Sequence, residues 1–123
     1  MDQSKVNELT RFLFTLQFTN KMIHLRTSSY AVHKATDNFD DMIGGILDKF
    51  MEILVGTYGI KPSITELKIN PDHLNDRLVN DLYLYAREYV MSFGNLNLNS
   101  DLLNIRDELL GELNKMLYLL KLK

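Results

Sequence analysis

The chain has 123 residues, of which 46% are hydrophobic and 24% are charged, and its formal net charge at pH 7 is -2. This composition is typical of a globular protein and excludes a disordered chain, and the length fits one domain over residues 1–123. Cysteine is absent, which excludes disulfides and thiolate metal sites, and the slightly acidic charge argues against a dedicated nucleic-acid binder.

The amino-terminal segment does not have the pattern of an export signal. It lacks the solid apolar block and small-residue cleavage site of a signal peptide. No apolar run approaches the roughly 18 residues that a membrane span needs. We therefore expect a soluble cytoplasmic protein with no membrane partner.

Four segments repeat hydrophobic residues at three- and four-residue steps, which predicts amphipathic helices. The first helix covers residues 4–25. The second covers residues 30–58, with Ser28 or Ser29 as its N-cap, and a helix of that length spans roughly 43 Å. It contains two adjacent glycines, Gly44 and Gly45, and ends at Gly56 and Gly59.

Two further helices follow a linker over residues 60–70. Asp72 is the predicted N-cap of a third helix, which begins at Pro71 and stops near Phe93. Ser100 is the predicted N-cap of a fourth helix over residues 100–120. Four helices and no strand predict an all-α four-helix bundle with a longer connection between helices 2 and 3, long enough to cross over the bundle.

One side of helix 2 is almost purely acidic. At about 100° per residue, a single stripe about 100° wide collects one histidine, four carboxylates and a glycine. These residues are His33, Asp37, Asp41, Gly44, Asp48 and Glu52. An ordinary solvent-facing surface is one interpretation, but like charges one turn apart repel, and each mid-helix glycine costs roughly 1 kcal/mol relative to Ala. A close approach of another backbone would explain the glycines.

The spacing along this stripe favours a site shared by two chains. His33 and Asp37 form one pair, Asp48 and Glu52 form another, and the two pairs are roughly 22 Å apart along the helix axis. No single metal ion can contact both pairs of one helix. Two copies packed antiparallel about a two-fold axis near residues 42–43 would align the pairs and create two equivalent sites.

The pattern His33-x3-Asp37-x10-Asp48-x3-Glu52 resembles the ferroxidase pattern on helix 2 of the Dps family, the DNA-protecting mini-ferritins. The chain is also similar to the short Dps-like proteins of phages and giant viruses, in residues 30–33 and 105–110. The resemblance implies a ferritin-like four-helix bundle. It also implies that His24, near the end of helix 1, completes the site.

From this resemblance we expect iron to be bound and oxidised between two subunits. The implied iron ligands are His24, His33 and Asp37 of one chain with Asp48 and Glu52 of the other. No catalytic residue is implied beyond these ligands. Asp41 is the expected outer residue or entry residue for iron. Peroxide is the expected oxidant, with oxygen second, while Mn(II) and Zn(II) also suit such ligands. Binding is expected to weaken below about pH 6, where imidazole gains a proton.

An alternative function stays open, namely a non-catalytic ferritin-like protein with a structural or interaction role, for example a bundle associated with a virion. The expected partner is a second copy of the chain, in a homodimer through antiparallel helix 2, and this pairing is compatible with a larger homo-oligomer. DNA compaction is disfavoured by the acidic balance and by the absence of a lysine-rich tail.

Overall fold

The computed structural model describes residues 1–122, and that part of the chain is helical with no strand. It contains four α-helices, namely α1 (Gln3–Arg26), α2 (Tyr30–Tyr58), α3 (Val79–Met91) and α4 (Ser100–Leu120). Two short 3₁₀ turns, Pro71–Leu74 and Ser92–Asn95, flank α3. The prediction of an all-α chain with four helices is confirmed.

The ends of α1 and α2 are fixed by local hydrogen bonds. The Asp2 side chain accepts from the Lys5 amide at the start of α1, and the Ser29 hydroxyl accepts from the Val32 amide at the start of α2. Ser29 is therefore the N-cap, one of the two predicted residues. Gly59 ends α2 in the left-handed conformation, with φ 67°, which glycine adopts without a steric penalty.

The predicted start of helix 3 is wrong. Asn70, and not Asp72, caps the segment by accepting from the Asp72 amide, and the segment is a 3₁₀ turn that stops at Leu74. The α-helix begins only at Val79. The cap of α4 also differs from the prediction: Asn99 occupies the N-cap position without a side-chain bond, and Ser100 is the first helical residue.

Contacts between the helices define their directions. The α1–α2 pair is antiparallel, because Thr10 meets Met51 at one end and His24 meets His33 at the other. By the same reasoning α1 runs antiparallel to α3 and α2 runs antiparallel to α4. As a result α2 and α3 run in the same direction, and the chain between them must travel the length of the bundle.

That connection, residues 60–78, lies along α1. The Gln3 side chain donates to the Lys61 carbonyl at 2.8 Å, near the amino end of α1. At the other end of α1, the Ser28 amide donates to the Asp76 carboxylate at 3.0 Å. The connection therefore crosses from one end of the bundle to the other, as its length in the sequence allowed.

The hydrophobic faces of all four helices meet in one core. Its largest fully buried side chains are Tyr83, Phe39, Phe93, Leu9, Leu13, Leu16, Ile23, Ile43, Leu54, Leu102, Leu113 and Met116. Within the described residues, no helix is both long enough and apolar enough to cross a bilayer.

Candidate functional site

Two histidines close the α1–α2 hairpin, and we call this pair the histidine clasp (His24 and His33). Their rings are stacked, with centroids 3.9 Å apart and planes inclined by 20°. His24 Nδ1 lies 3.0 Å from the His33 carbonyl oxygen, and His33 Nδ1 lies 3.0 Å from the His24 carbonyl oxygen. The two histidines that the sequence placed on separate helices therefore meet in the structure.

The partners of the clasp determine which ring nitrogen carries the proton. A backbone carbonyl can only accept a hydrogen bond, so Nδ1 of each ring must donate. In a neutral imidazole the other nitrogen, Nε2, is then unprotonated and offers a lone pair. His33 is exposed and His24 is half-buried, so the clasp lies at the protein surface. This tautomer is the one that ligates metals through Nε2.

A chain of buried polar groups supports the clasp from inside. Asn20, one turn before His24 on α1, donates to the Thr36 carbonyl of α2 at 2.9 Å. Tyr83 of α3 donates to Asn20 Oδ1 at 2.6 Å. The Thr36 hydroxyl lies 3.1 Å from His24 Nδ1. Asn20, Thr36 and Tyr83 are all fully buried, so three helices are joined directly behind the clasp.

The four carboxylates of the stripe lie on the solvent-facing side of α2. Asp37, Asp41, Asp48 and Glu52 are all exposed. Within residues 1–122 none of the four makes a hydrogen bond or ion pair, whereas neighbouring Asp40 is paired with Lys21 at 3.1 Å. The acidic stripe is therefore a surface of uncompensated negative charge.

A single chain does not assemble the full ligand set. Across the described residues, no three histidine or acidic side chains are close enough together to hold a metal ion. The structure thus brings His24 and His33 together, but it does not add Asp37 to them. Asp48 and Glu52 lie several helical turns further along α2.

The two mid-helix glycines of α2 are not required by packing within the chain. A Cβ on Gly44 would lie 3.9 Å from the Gln17 amide nitrogen, an ordinary contact, and a Cβ on Gly45 would meet nothing within 4 Å. Gly45 is exposed, on the same side as Asp41 and Asp48. The close backbone approach that the sequence suggested therefore has no counterpart inside the described part of the molecule.

Asp41 borders a shallow groove between α2 and α4. The groove, of about 470 Å³, is also lined by Met42, Gly45, Glu108 and Glu112. Lys49 reaches across it to Glu108, at 3.3 Å. One lysine therefore faces three carboxylates here, and the groove carries net negative charge next to the stripe.

A second depression lies elsewhere, between α1, the connection and α3. It has a volume of about 510 Å³, an apolar floor that includes Phe12 and Leu82, and a polar rim that includes Lys68, His73 and Asp81. None of its lining residues belongs to α2. It is therefore separate from both the clasp and the acidic stripe.

Two tyrosine hydroxyls have strongly raised pKa values. Burial raises the pKa of Tyr83 far above its ordinary value, so this hydroxyl stays protonated as a donor to Asn20. Burial, together with the Glu8 carboxylate, also raises the pKa of Tyr89. Hydrogen bonds from Lys5 and then Tyr89 lower the pKa of Glu8.

Sequence reasoning missed Asn20, Thr36 and Tyr83. A signal was present for the first two. Asn20 interrupts the apolar stripe of α1 between Leu16 and Ile23, and Thr36 interrupts that of α2. A polar residue at a core position requires a buried partner. The identity of that partner depends on how three helices are rotated relative to one another.

Comparison with known proteins gives one match. Residues 24–120 match a family described as a family of unknown function, DUF5856. The matched region begins at His24 and includes the clasp and every carboxylate of the stripe. A search of curated proteins and a search of solved structures found no match. Because the matched residues make up well over half of the chain, this protein belongs to the DUF5856 family.

Proposed function

We propose that this protein is a Dps-like iron-binding protein, which binds and oxidises Fe(II) at two equivalent sites of a homodimer. Each site takes His24, His33 and Asp37 from one chain with Asp48 and Glu52 of the partner subunit. The proposal extends to the ferritin-like fold and to Asp41 as an outer residue on the path of the metal.

The observation that carries the proposal is the pair of backbone contacts at Nδ1 of the two clasp histidines. Each Nδ1 is occupied by a backbone carbonyl, at 3.0 Å in both cases. Each Nε2 is thereby left as a lone-pair donor at a surface position. Metal-bound histidines commonly donate their second ring nitrogen in this way, which fixes the ring and raises its basicity.

The unpaired charge of α2 supports a second copy as the source of the missing ligands. In an antiparallel pairing centred near residues 42–43, His33 faces Glu52 of the partner subunit. Asp37 then faces Asp48 of the partner subunit, and Asp41 faces Gly44 of the partner subunit. The exposed carboxylates, which would repel one another, would be neutralised by bound cations. The glycines leave room for the backbones to approach.

The topology supports the same proposal. Ferritin-like bundles have one long crossover connection between their two helical hairpins. Here residues 60–78 join parallel α2 and α3 by crossing the length of α1. The acidic stripe lies on the side of α2 that faces away from the core.

The chemistry follows from the ligand types. Imidazole nitrogens suit Fe(II), so they help the site to take it up. Carboxylate oxygens favour Fe(III) over Fe(II), so they promote loss of an electron from the bound iron. Two Fe(II) ions each give one electron to one hydrogen peroxide molecule, whose O–O bond breaks. With two protons from solvent, the peroxide leaves as two water molecules, and Fe(III) is the product that is sequestered.

A mixing experiment tests the shared site. One variant carries His24→Asn and His33→Asn, because the asparagine Nδ2 keeps a donor where Nδ1 lies, while Nε2 and the ring stacking are lost. The other carries Asp48→Asn and Glu52→Gln. Iron bound anaerobically, and the rate of peroxide consumption, are measured for each variant alone and for an equimolar mixture refolded together.

Each variant alone is expected to bind no iron at the site, whereas the mixture regains about one quarter of the wild-type sites, since half of its dimers are mixed and each has one intact site. Wild-type protein that binds no Fe(II) overturns the proposal. If the mixture binds no more iron than the separate variants, the site is not shared between two chains.

A second function is favoured by one observation, namely that the clasp is complete without a metal. Its stacking and its two hydrogen bonds hold the α1–α2 turn closed. A structural or interaction protein with this bundle would therefore also retain the histidines. In that case the two asparagine substitutions, which remove the ring stacking, would lower thermal stability, and no iron would be found in the wild type.

A further inference from the structure

We infer that Thr36 is a positioning residue for His24, and that Asn20 and Tyr83 hold Thr36 in place. The inference deepens the proposed function and rests on it for the metal-binding readout alone. The other readout, the tautomer of His24, is a property of the metal-free protein.

The direction of each hydrogen bond around Thr36 is fixed by its partners. Its hydroxyl lies 2.8 Å from the Val32 carbonyl and 3.0 Å from the His33 carbonyl, so the single hydroxyl proton is donated there. The oxygen is left with lone pairs, and His24 Nδ1 lies 3.1 Å away. The Thr36 hydroxyl therefore accepts from His24 and reinforces the Nδ1–H tautomer.

The backbone carbonyl of Thr36 accepts a second hydrogen bond from α1. The donor is the Asn20 amide at 2.9 Å, and Asn20 lies one turn before His24 on α1. Two consecutive contacts thus join α1 to α2: Asn20 with the Thr36 carbonyl, and His24 with the Thr36 hydroxyl. Together they set the axial position of α1 against α2 at the clasp.

Tyr83 secures the first of these contacts. Its hydroxyl donates to Asn20 Oδ1 at 2.6 Å. This bond orients the amide group so that Nδ2 points towards the Thr36 carbonyl. Tyr83 itself is held by an edge-to-face contact with Phe39, with ring centroids 5.7 Å apart. No atom of Asn20, Thr36 or Tyr83 needs to touch a metal, so their effect on the site passes through His24.

The expected consequence of removing the hydroxyl is a less constrained His24 ring. Nδ1 then keeps only the His33 carbonyl, just as His33 Nδ1 has only the His24 carbonyl, and the share of the tautomer with the proton on Nε2 rises. Loss of an outer hydrogen-bond partner of a ligating histidine typically weakens metal affinity by about 10- to 100-fold. His33, whose Nδ1 bonds only the His24 carbonyl, is the internal control.

The tautomer is measured by nitrogen-15 NMR of the histidine rings at pH 8 in metal-free protein. Thr36→Val removes the hydroxyl at nearly constant shape, Thr36→Ala is a second hydroxyl-free variant, and Thr36→Ser restores the group. The Nε2–H share of His24 is expected to rise in the Val and Ala variants towards that of His33, whose Nδ1 also has a single acceptor, while the share at His33 stays unchanged throughout. A His24 ring that keeps the Nδ1–H form in every folded variant overturns the inference.

Metal affinity is measured by anaerobic Co(II) titration of the same variants, with Co(II) as a spectroscopic probe for the Fe(II) site. Thr36→Val is expected to bind about 10-fold more weakly than the wild type, and Thr36→Ser about as tightly. Equal affinity of the Val and wild-type proteins contradicts the positioning role. Wild-type protein that does not bind Co(II) or Fe(II) contradicts the proposed function, while the NMR result still decides the role of Thr36.

Discussion

The Tyr83 hydroxyl donates a 2.6 Å hydrogen bond to Asn20 Oδ1, and neither side chain has any exposed surface. This bond joins α3 to α1 inside the core. Because Asn20 Oδ1 is buried, no water molecule replaces the Tyr83 hydroxyl as its donor when that hydroxyl is removed. The bond therefore contributes to stability through the penalty that its loss would impose.

Tyr83→Phe is expected to lower the free energy of unfolding by about 1–3 kcal/mol, since it leaves a buried acceptor without a partner. The measurement is urea denaturation followed by circular dichroism. Tyr118→Phe is the matched control, because Tyr118 is 60% exposed, and its effect is expected within about 0.5 kcal/mol. Equal effects of the two substitutions would contradict the role assigned to the buried bond.

Gly45→Ala is expected to raise the stability of the monomer and to weaken the proposed dimer. The added Cβ meets nothing within 4 Å in the chain, so the helix gains up to about 1 kcal/mol. In the antiparallel pairing the same methyl group would lie at the contact between the two α2 helices. Stability is measured by urea denaturation and dimerisation by sedimentation velocity.

Gly111→Ala is the control for this pair, since Gly111 is exposed on α4 and a Cβ there also meets nothing. It should stabilise the monomer equally and leave dimerisation unchanged. If both variants dimerise as the wild type does, α2 is not the interface.

The Glu8 carboxyl is expected to make stability depend on pH in the acid range. Its folded-state pKa is lowered, first by Lys5 and then by Tyr89, so the stabilisation is present above the unfolded pKa of about 4.3. It is lost as the pH falls through the lower, folded pKa. Urea midpoints of the wild type and Glu8→Gln should differ at pH 6, and the difference should shrink as the pH is lowered towards 3. A constant difference across this range would contradict the assignment.

Iron binding is expected to weaken in acid, because metal ligation requires the imidazole lone pair that a proton would occupy. Anaerobic Fe(II) titrations between pH 5 and pH 8 measure the effect. The double variant with His24→Asn and His33→Asn, which is expected to bind no iron at the site, gives the background uptake to subtract at each pH. A flat wild-type profile would remove the histidines from the ligand set.

Three of the four helices were predicted from the sequence to within one residue at each end, because hydrophobic periodicity and turn residues agree there. For α2 the Ser29 cap and Gly59 mark both ends. The start of α3 was not predicted correctly, because Pro71 opens a 3₁₀ turn that is capped by Asn70 and broken at Asn75. Leu74 and Leu78 continue the helical spacing of the apolar residues in α3, and the sequence therefore predicted one continuous helix.

The candidate site was predictable only in part. Helical spacing places the four carboxylates on one side of α2, and their exposure follows from the positions of the buried residues. The pairing of His24 with His33 depends on a three-residue turn that brings these positions level. The support from Asn20 and Tyr83 depends on three helices at once, and spacing within one segment does not contain that information.

The antiparallel arrangement of α2 and α4 has a practical consequence for recombinant protein. It brings the carboxyl end of α4 to the end of the bundle that holds the histidine clasp, while Met1 lies at the far end, roughly 35 Å away along α1. A polyhistidine affinity tag at the carboxyl end of α4 would bring foreign imidazoles to the end of the bundle that holds His24 and His33, where they would compete for metal. An amino-terminal tag, removed by protease, keeps the metal stoichiometry interpretable.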